Sequence, residues 1–281
     1  MKSLIPLLVL ASAVAGAVDI QKRIYGGRDC LESEGQHYVV LTERNGHFEG
    51  RFCGGNLISP DWVLTAGHCN KPEFDVLLGK HLPGSKVLLE ITSQNERHVY
   101  KANGHDHDIM LFKLPTYFNK GSHIYISLPG TVTAAGVTCK SPTANGQPYT
   151  IMGWSYTATD AQNVKNQKRA VELQCGTVLL RKDCTGRNLT IRNLDEKGHK
   201  YIKEHMLCSD IPENCQTCKT KPCESCEGDS GGSLVQKEVK DAKINDVLVG
   251  VTVAGSRKPS GLSFYMDVCA YRQWIHTVTG I

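Results

Sequence analysis

Short apolar runs broken every few residues by Gly, Pro or Asn leave this chain little choice of fold. They fall at Tyr38 to Thr42, Phe52 to Ser59, Val63 to Ala66, Asp75 to Leu78, Val87 to Ile91 and Ile109 to Leu114. A second set follows at Tyr149 to Met152, Ala170 to Leu173, Thr177 to Leu180, Met206 to Ser209, Ser233 to Gln236, Val247 to Ala254 and Leu262 to Asp267. Runs this short suit strands, whereas a helix needs a sustained helical period, and only Val268 to Val278 has one. The pattern therefore predicts an all-β protein of antiparallel sandwiches or barrels closed by one C-terminal helix. With 281 residues, 40% of them hydrophobic, the chain can bury one large β domain or two small ones. It carries no internal repeat and no low-complexity segment.

Charge and cysteine content narrow the setting. A net charge of +4 without a block of clustered Lys and Arg argues against nucleic acid as a partner. Twelve cysteines in a chain of this size point to an oxidising compartment. The N-terminus agrees: Met1-Lys2, then an apolar run from Leu4 to Val18 broken by small residues, reads as a secretory signal peptide. Ala13-Val14-Ala15 and Ala15-Gly16-Ala17 both permit cleavage, and residues 1–17 are taken as the signal. The run is too short to span a membrane and no later one is longer, so the expectation is a secreted, extracellular protein with no membrane partner.

The chemistry concentrates in Cys223 to Leu234, C-E-S-C-E-G-D-S-G-G-S-L. Glycines around a serine let the main chain turn tightly and bring N–H groups beside the hydroxyl, here those of Gly228 and Ser230, where an oxyanion would need them. A Gly/Ser/Asp loop can also be just a loop, so a base and an orienter for that base are required. Trp62 to Cys69, W-V-L-T-A-G-H-C, ends an apolar run in His68, the candidate base. Asp106 to Leu114, D-H-D-I-M-L-F-K-L, sets Asp108 at the head of another apolar run that would hold it fixed. The chain order His, Asp, Ser separates this arrangement from subtilisins and α/β-hydrolases.

These stretches, with I-Y-G-G from Ile24, C-G-G-N-L-I, M-G-W and the closing Y-M-D-V-C-A-Y-R-Q-W-I, resemble the trypsin-like (chymotrypsin-fold) serine peptidases from Ile24 to the C-terminus. The resemblance implies two six-stranded antiparallel β-barrels with a C-terminal helix and an active site in the cleft between the barrels. It makes His68 the general base, Asp108 its orienter and Ser230 the nucleophile, with the amides of Gly228 and Ser230 as the oxyanion hole. Lys22-Arg23 before Ile24 would then be a processing site ending a propeptide of residues 18–23, and residues 24–281 the peptidase domain. Cleavage after Arg23 frees the Ile24 amino group to pair with Asp229, since a buried carboxylate needs a buried cation. The expected protein is thus a zymogen of a secreted serine endopeptidase acting on protein or peptide substrates as a monomer. No cofactor and no metal is implied, and a protein protease inhibitor is a further partner of the same cleft.

The same likeness pairs Cys53 with Cys69, Cys30 with Cys175, Cys184 with Cys208 and Cys139 with Cys269. Cys215, Cys218, Cys223 and Cys226 depart from the family. Their spacing also fits a zinc knuckle; an oxidising compartment favours disulfides, with Cys226 bracing the pocket from within the cluster. The resemblance also puts Glu224, six residues before Ser230, at the floor of the specificity pocket, where a carboxylate would select Arg or Lys. Ser225 and Gly255 leave that pocket open, while Ser263 stands where Gly is common and narrows it. Val253-Ala254 replaces the usual Ser-Trp, Ser233 the usual Pro and Gly67 the common Ala. These changes and the missing pocket staple also suit a protease-derived binding protein with weak or no turnover, against which the three retained triad residues weigh. Asn188-Leu189-Thr190 is a glycosylation acceptor. His105 and His107, flanking Asp106, are expected in a surface turn.

Overall fold

The computed structural model describes residues 27–44, 50–82, 84–115, 124–144, 146–154, 156–157, 168–181, 184, 204–210, 229–240, 242–255 and 263–281. The first part of the chain carries β1 (Arg28–Asp29), β2 (Tyr38–Thr42), β3 (Arg51–Leu57), β4 (Trp62–Thr65), β5 (Phe74–Leu78), β6 (Val87–Ile91), β7 (Arg97–Ala102) and β8 (His105–Lys113). Two short hairpin strands follow, β9 (Thr131–Thr133) and β10 (Gly136–Thr138). Then come β11 (Pro148–Gly153), β12 (Tyr156–Thr157), β13 (Lys168–Arg169), β14 (Gln174–Leu180), β15 (Met206–Asp210), β16 (Ser233–Lys240), β17 (Lys243–Gly255) and β18 (Ser263–Asp267). A 3-10 turn at Val268–Tyr271 leads into the helix α1 (Arg272–Thr279).

Two sheets account for nearly all of this. One is a curled seven-stranded sheet in the order β6-β5-β2-β3-β4-β8-β7. The other runs β14-β11-β16-β17-β18-β15 and closes because β15 also pairs with β14, a six-stranded barrel to which β1 is added at the edge of β14. The fold is the trypsin fold that the resemblance implied. Its core explains why the apolar runs are continuous rather than alternating: every residue of β2 and β4 is buried, and such strands face protein on both sides. One buried cluster joins Val39, Val63 and Leu111 of the first sheet to Met152, Val251 and Met266 of the barrel, so the two halves share a core. Val63, Leu64, Ile109 and Leu111 are each fully buried, which contributes about 1.5–3 kcal/mol apiece before chain entropy is set against it.

Disulfides join Cys30 to Cys175, Cys53 to Cys69, Cys139 to Cys269 and Cys184 to Cys208. The first and third span 145 and 130 residues, so in the chain-entropy account each restricts the unfolded chain by about 4–5 kcal/mol.

Three expectations needed correction. Ala170 to Leu173 is not a strand: Val171 and Glu172 are both exposed, which breaks the alternation a ladder needs, and β14 begins only at Gln174. The Leu173 carbonyl accepts instead from the Cys30 amide at 2.8 Å. His105 and His107 lie not in a turn but in β8, which pairs with β7. His107 is 1% exposed, its Nδ1 2.7 Å from the Tyr271 hydroxyl, because β8 is covered there by the C-terminal segment. The expected single helix begins as a 3-10 turn, with Asp267 accepting from the Cys269 amide at 2.9 Å.

Candidate active site

His68 sits at the end of a buried strand. β4 runs Trp62–Thr65, and the chain then closes a single 3-10 turn, Gly67–Cys69, in which the Cys69 amide donates to the Ala66 carbonyl at 3.1 Å. The Cys53–Cys69 disulfide fixes the far side of that turn to β3. β8 pairs with β4, Thr65 opposite Met110, which brings Asp108 alongside His68. A Cβ on Gly67 would come within 2.9 Å of the His107 carbonyl oxygen and 3.2 Å of the Asp108 Cα. The departure from the common Ala at this position therefore goes with an unusually close approach of the His68 turn to β8.

The pair that results is directly hydrogen-bonded. The His68 backbone amide donates to Asp108 Oδ1 at 2.8 Å, and Nδ1 lies 2.8 Å from Oδ2 and 3.0 Å from Oδ1. An ionised carboxylate only accepts, so Nδ1 carries the proton and the Nε2 lone pair is left for a reacting hydroxyl. Burial of the ring draws the His68 pKa down, but the hydrogen bond and the charge of Asp108 outweigh it and hold the pKa above the usual 6.5. The His68 side chain is 45% exposed and that of Asp108 14%, so the imidazole opens to solvent while the carboxylate is covered.

Ser230 lies in the tight turn Asp229 to Gly232, which closes through the Gly232 amide on the Asp229 carbonyl at 2.8 Å. The turn docks on the first sheet. The Ser230 carbonyl accepts from the Gly54 amide of β3 at 2.7 Å, and Cys69 Sγ rests 3.8 Å from the same oxygen. That sulfur is tied up in a disulfide and donates nothing, but the contact puts the Ser230 turn against the residue next to His68. On the barrel side the Gly231 amide donates to the Thr252 carbonyl at 2.7 Å. Gly231 has φ +82°, and a Cβ there would strike the Gly54 carbonyl and the Thr65 hydroxyl.

Asp229 is 1% exposed and lies under Gly153. Burial, then its negative charge, push the Tyr38 phenol well above 10, with the buried Arg51 acting the other way. Arg51 donates to the carbonyls of Trp154 at 3.0 Å and Ala170 at 3.2 Å, binding β3 to the barrel.

Of the residues expected to line the specificity pocket, Gly255 and Ser263 stand opposite each other where β17 pairs with β18. Ser263 is fully buried, and its hydroxyl, like that of Ser209, bonds to the Tyr265 phenol, which burial pushes up to about 12. Val253 occupies a β-bulge between Thr252 and Ala254, an irregularity common beside active sites. Gly228, Glu224, Ser225, Arg23, Ile24, Asn188 and the cysteines at 215, 218, 223 and 226 lie outside the described residues. Cys53, His68 and Cys69 put ligand-type atoms within 4.8 Å of one another, but both sulfurs are spent in a disulfide, so this cluster holds no metal. The sequence reading missed Gly54, Asn56 and His37, which touch the Ser230 turn or the residues that hold it; C-G-G-N-L-I contained the first two.

The family model described as Trypsin matches residues 24–275, so the chain belongs to the trypsin family. Serine protease 1 of Canis lupus familiaris is 30% identical, covering 98% of this chain and 97% of its own length. Trypsin-10 of Gadus morhua is 29% identical over 98% and 97%, and human Kallikrein-8 27% identical over 98% and 94%. The protein is accordingly a serine endopeptidase, a hydrolase of protein or peptide substrates. The four disulfides among the described residues fit an extracellular protein.

Proposed function

We propose that His68, Asp108 and Ser230 are the catalytic triad of this endopeptidase, and that it cleaves after Arg or Lys. The observation that supports the triad most directly is the Nδ1 to Oδ2 hydrogen bond of 2.8 Å, which fixes the His68 tautomer beside a docked Ser230 turn. His68 Nε2 takes the Ser230 proton as the hydroxyl oxygen attacks the scissile carbonyl, and returns it to the leaving amine. Water then attacks the acyl-enzyme with the same base. The amides of Gly228 and Ser230 hold the oxyanion, and Asp108 stabilises the imidazolium without itself taking the proton. Glu224 supplies the negative charge at the pocket floor that selects Arg or Lys.

The chain is made with a signal peptide at residues 1–17 and a propeptide at 18–23, and is secreted as a zymogen. Cleavage after Arg23 lets the Ile24 amino group reach Asp229, a carboxylate already enclosed at 1% exposure. The mature domain, 24–281, acts as a monomer, carries glycan at Asn188, braces its pocket by disulfides among Cys215, Cys218, Cys223 and Cys226, and is restrained by a protein inhibitor in the substrate cleft.

The test is turnover of a positional peptide library by protein processed at Arg23, with Ser230→Ala as control. Cleavage after Arg or Lys that is lost in the control is expected. Cleavage after other residues would keep the triad and discard the role of Glu224, whereas activity surviving in Ser230→Ala would discard the nucleophile. Unprocessed protein should show little of the activity, and full activity in correctly processed Ile24→Gly would remove the latch.

A further inference from the structure

A buried chain of polar side chains lies beside the nucleophile turn and takes no part in the chemistry above. Its middle member is Ser233, the residue that stands where the family commonly has Pro. His37 Nε2 is 3.0 Å from Ser233 Oγ, Ser233 Oγ is 2.6 Å from Asn56 Oδ1, and Asn56 Nδ2 donates to the Gly231 carbonyl at 2.9 Å and the Leu64 carbonyl at 3.2 Å. Asn56 and Ser233 are fully buried and His37 is 4% exposed.

The direction of every proton in this chain follows from its end. Asn56 faces two carbonyls with one side of its amide, so that side is the NH2 group and Oδ1 points at Ser233. The Ser233 hydroxyl must then donate to Asn56, its oxygen accepts from His37, and His37 Nε2 carries the proton. Desolvation keeps the imidazole neutral, its pKa drawn down to about 3. Three residues, one just before β2, one in β3 and one at the start of β16, thus converge on the carbonyl immediately after Ser230. Gly231, at φ +82°, is already held through its amide on the Thr252 carbonyl, so the network grips the same residue at its carbonyl, on the far side of its Cα.

We propose that His37, Asn56 and Ser233 are positioning residues that hold Gly231, and through it Ser230, in the attacking geometry. The inference rests on Ser230 being the nucleophile. A merely structural network would affect melting and leave the turnover of folded enzyme alone; a positioning network acts on kcat.

The experiment uses processed full-length enzyme carrying Ser233→Ala, Ser233→Pro or Ser233→Thr, assayed well below each melting midpoint. Pro is the family's own residue here, so that variant suits the backbone even where Ala proves unstable. Kinetic constants on a peptide substrate are measured together with the rate at which a fluorophosphonate modifies Ser230. Ala and Pro are expected to lower both kcat and the modification rate by about tenfold with KM changed less than about twofold, the size of one lost buried partner, and Thr to restore most of the rate. Wild-type modification rates and kcat in Ala and Pro would overturn the proposal, whatever happens to the melting point, while leaving the nucleophile in place. Failure of the reagent to label Ser230 in the wild type would overturn the nucleophile and this role together.

Discussion

His68 and Asp108 are anchored within one sheet, on β-strands that pair directly, with a disulfide behind the His68 turn. Ser230 is held between two sheets: its own carbonyl goes to Gly54 of β3, while the next residue is gripped by Thr252 of β17 and by Asn56 of β3. In the proposed triad the acid–base half is therefore set by one sheet's register, and the nucleophile half by how the two sheets dock. Damage should look different in each: a change beside His68 should alter proton transfer with little effect elsewhere, whereas a change beside Ser230 should disturb both rate and the junction of the halves.

The largest effect belongs to the first half. Asp108→Asn keeps the size of the side chain but removes the charge and the preference for a proton on Nδ1, and kcat is expected to fall by about 10⁴-fold, the size this substitution has elsewhere in the family. The pH profile supplies a sharper test. Asp108 holds the His68 pKa above 6.5 and the base must be neutral, so kcat/KM of the wild type should be lost as pH falls through a value above 6.5. In the variant burial alone remains, so whatever activity survives should have its acid limb at lower pH. An acid limb at the same pH in both proteins would mean that Asp108 does not control the base.

Next comes the second half. Gly231→Ala would demand a left-handed alanine at φ +82° and drive its Cβ into the Gly54 carbonyl and the Thr65 hydroxyl. The turn must move, and misplacement on the scale of an ångström costs about 10²-fold in kcat. Unlike Asp108→Asn, this variant should also melt earlier, because the displaced atoms are the ones that dock sheet on sheet. A variant with normal melting and lost activity would blur the distinction between the halves.

How much of this was legible beforehand follows from the same contrast. The surroundings of His68, Asp108 and Ser230 are each written in a few consecutive residues, because a strand end or a tight turn is a local object. The apolar runs found β2 to the residue and located most of the other sheet strands with ends up to four residues off, since β2 and β4 are buried on both faces and read as unbroken apolar runs. β7, by contrast, escaped notice: Arg97, His98 and Lys101 leave Val99-Tyr100 too short an apolar run to mark a strand, and pairing with β8 makes it one. The His37–Ser233 contact joins residues 196 apart in sequence, and nothing local in His37 or in Ser233 announces a partner. Ser233 was visible only as a departure from Pro, and its reason needed the fold.

The smallest expected effect tests a link between the halves that includes no site residue. Glu34, just before β2, accepts from Arg28 of β1 at 2.6 and 2.8 Å and from the Leu31 amide at 3.0 Å, with Lys237 of β16 at 3.5 Å. The Arg28 hydrogen bonds, working against burial, lower its pKa from 4.5 to about 2. A depressed carboxylate pKa stabilises the fold above its unfolded value, here about 4.5, and that contribution is lost as pH falls toward about 2. Arg28 and Lys237 are 55% and 51% exposed, so solvent screening leaves about 1 kcal/mol of it. Glu34→Gln is therefore expected to unfold about 1 kcal/mol more easily than wild type at pH 7, and the gap should close as pH is lowered through that window and narrow in high salt. Its kcat should stay at the wild-type value, because the link grips neither the His68 turn nor the Ser230 turn. A gap that held constant from neutral to acid pH would assign Glu34 a role through shape rather than charge. A drop in kcat at neutral pH would show that the docking of the two sheets reaches the nucleophile even from a contact outside the site.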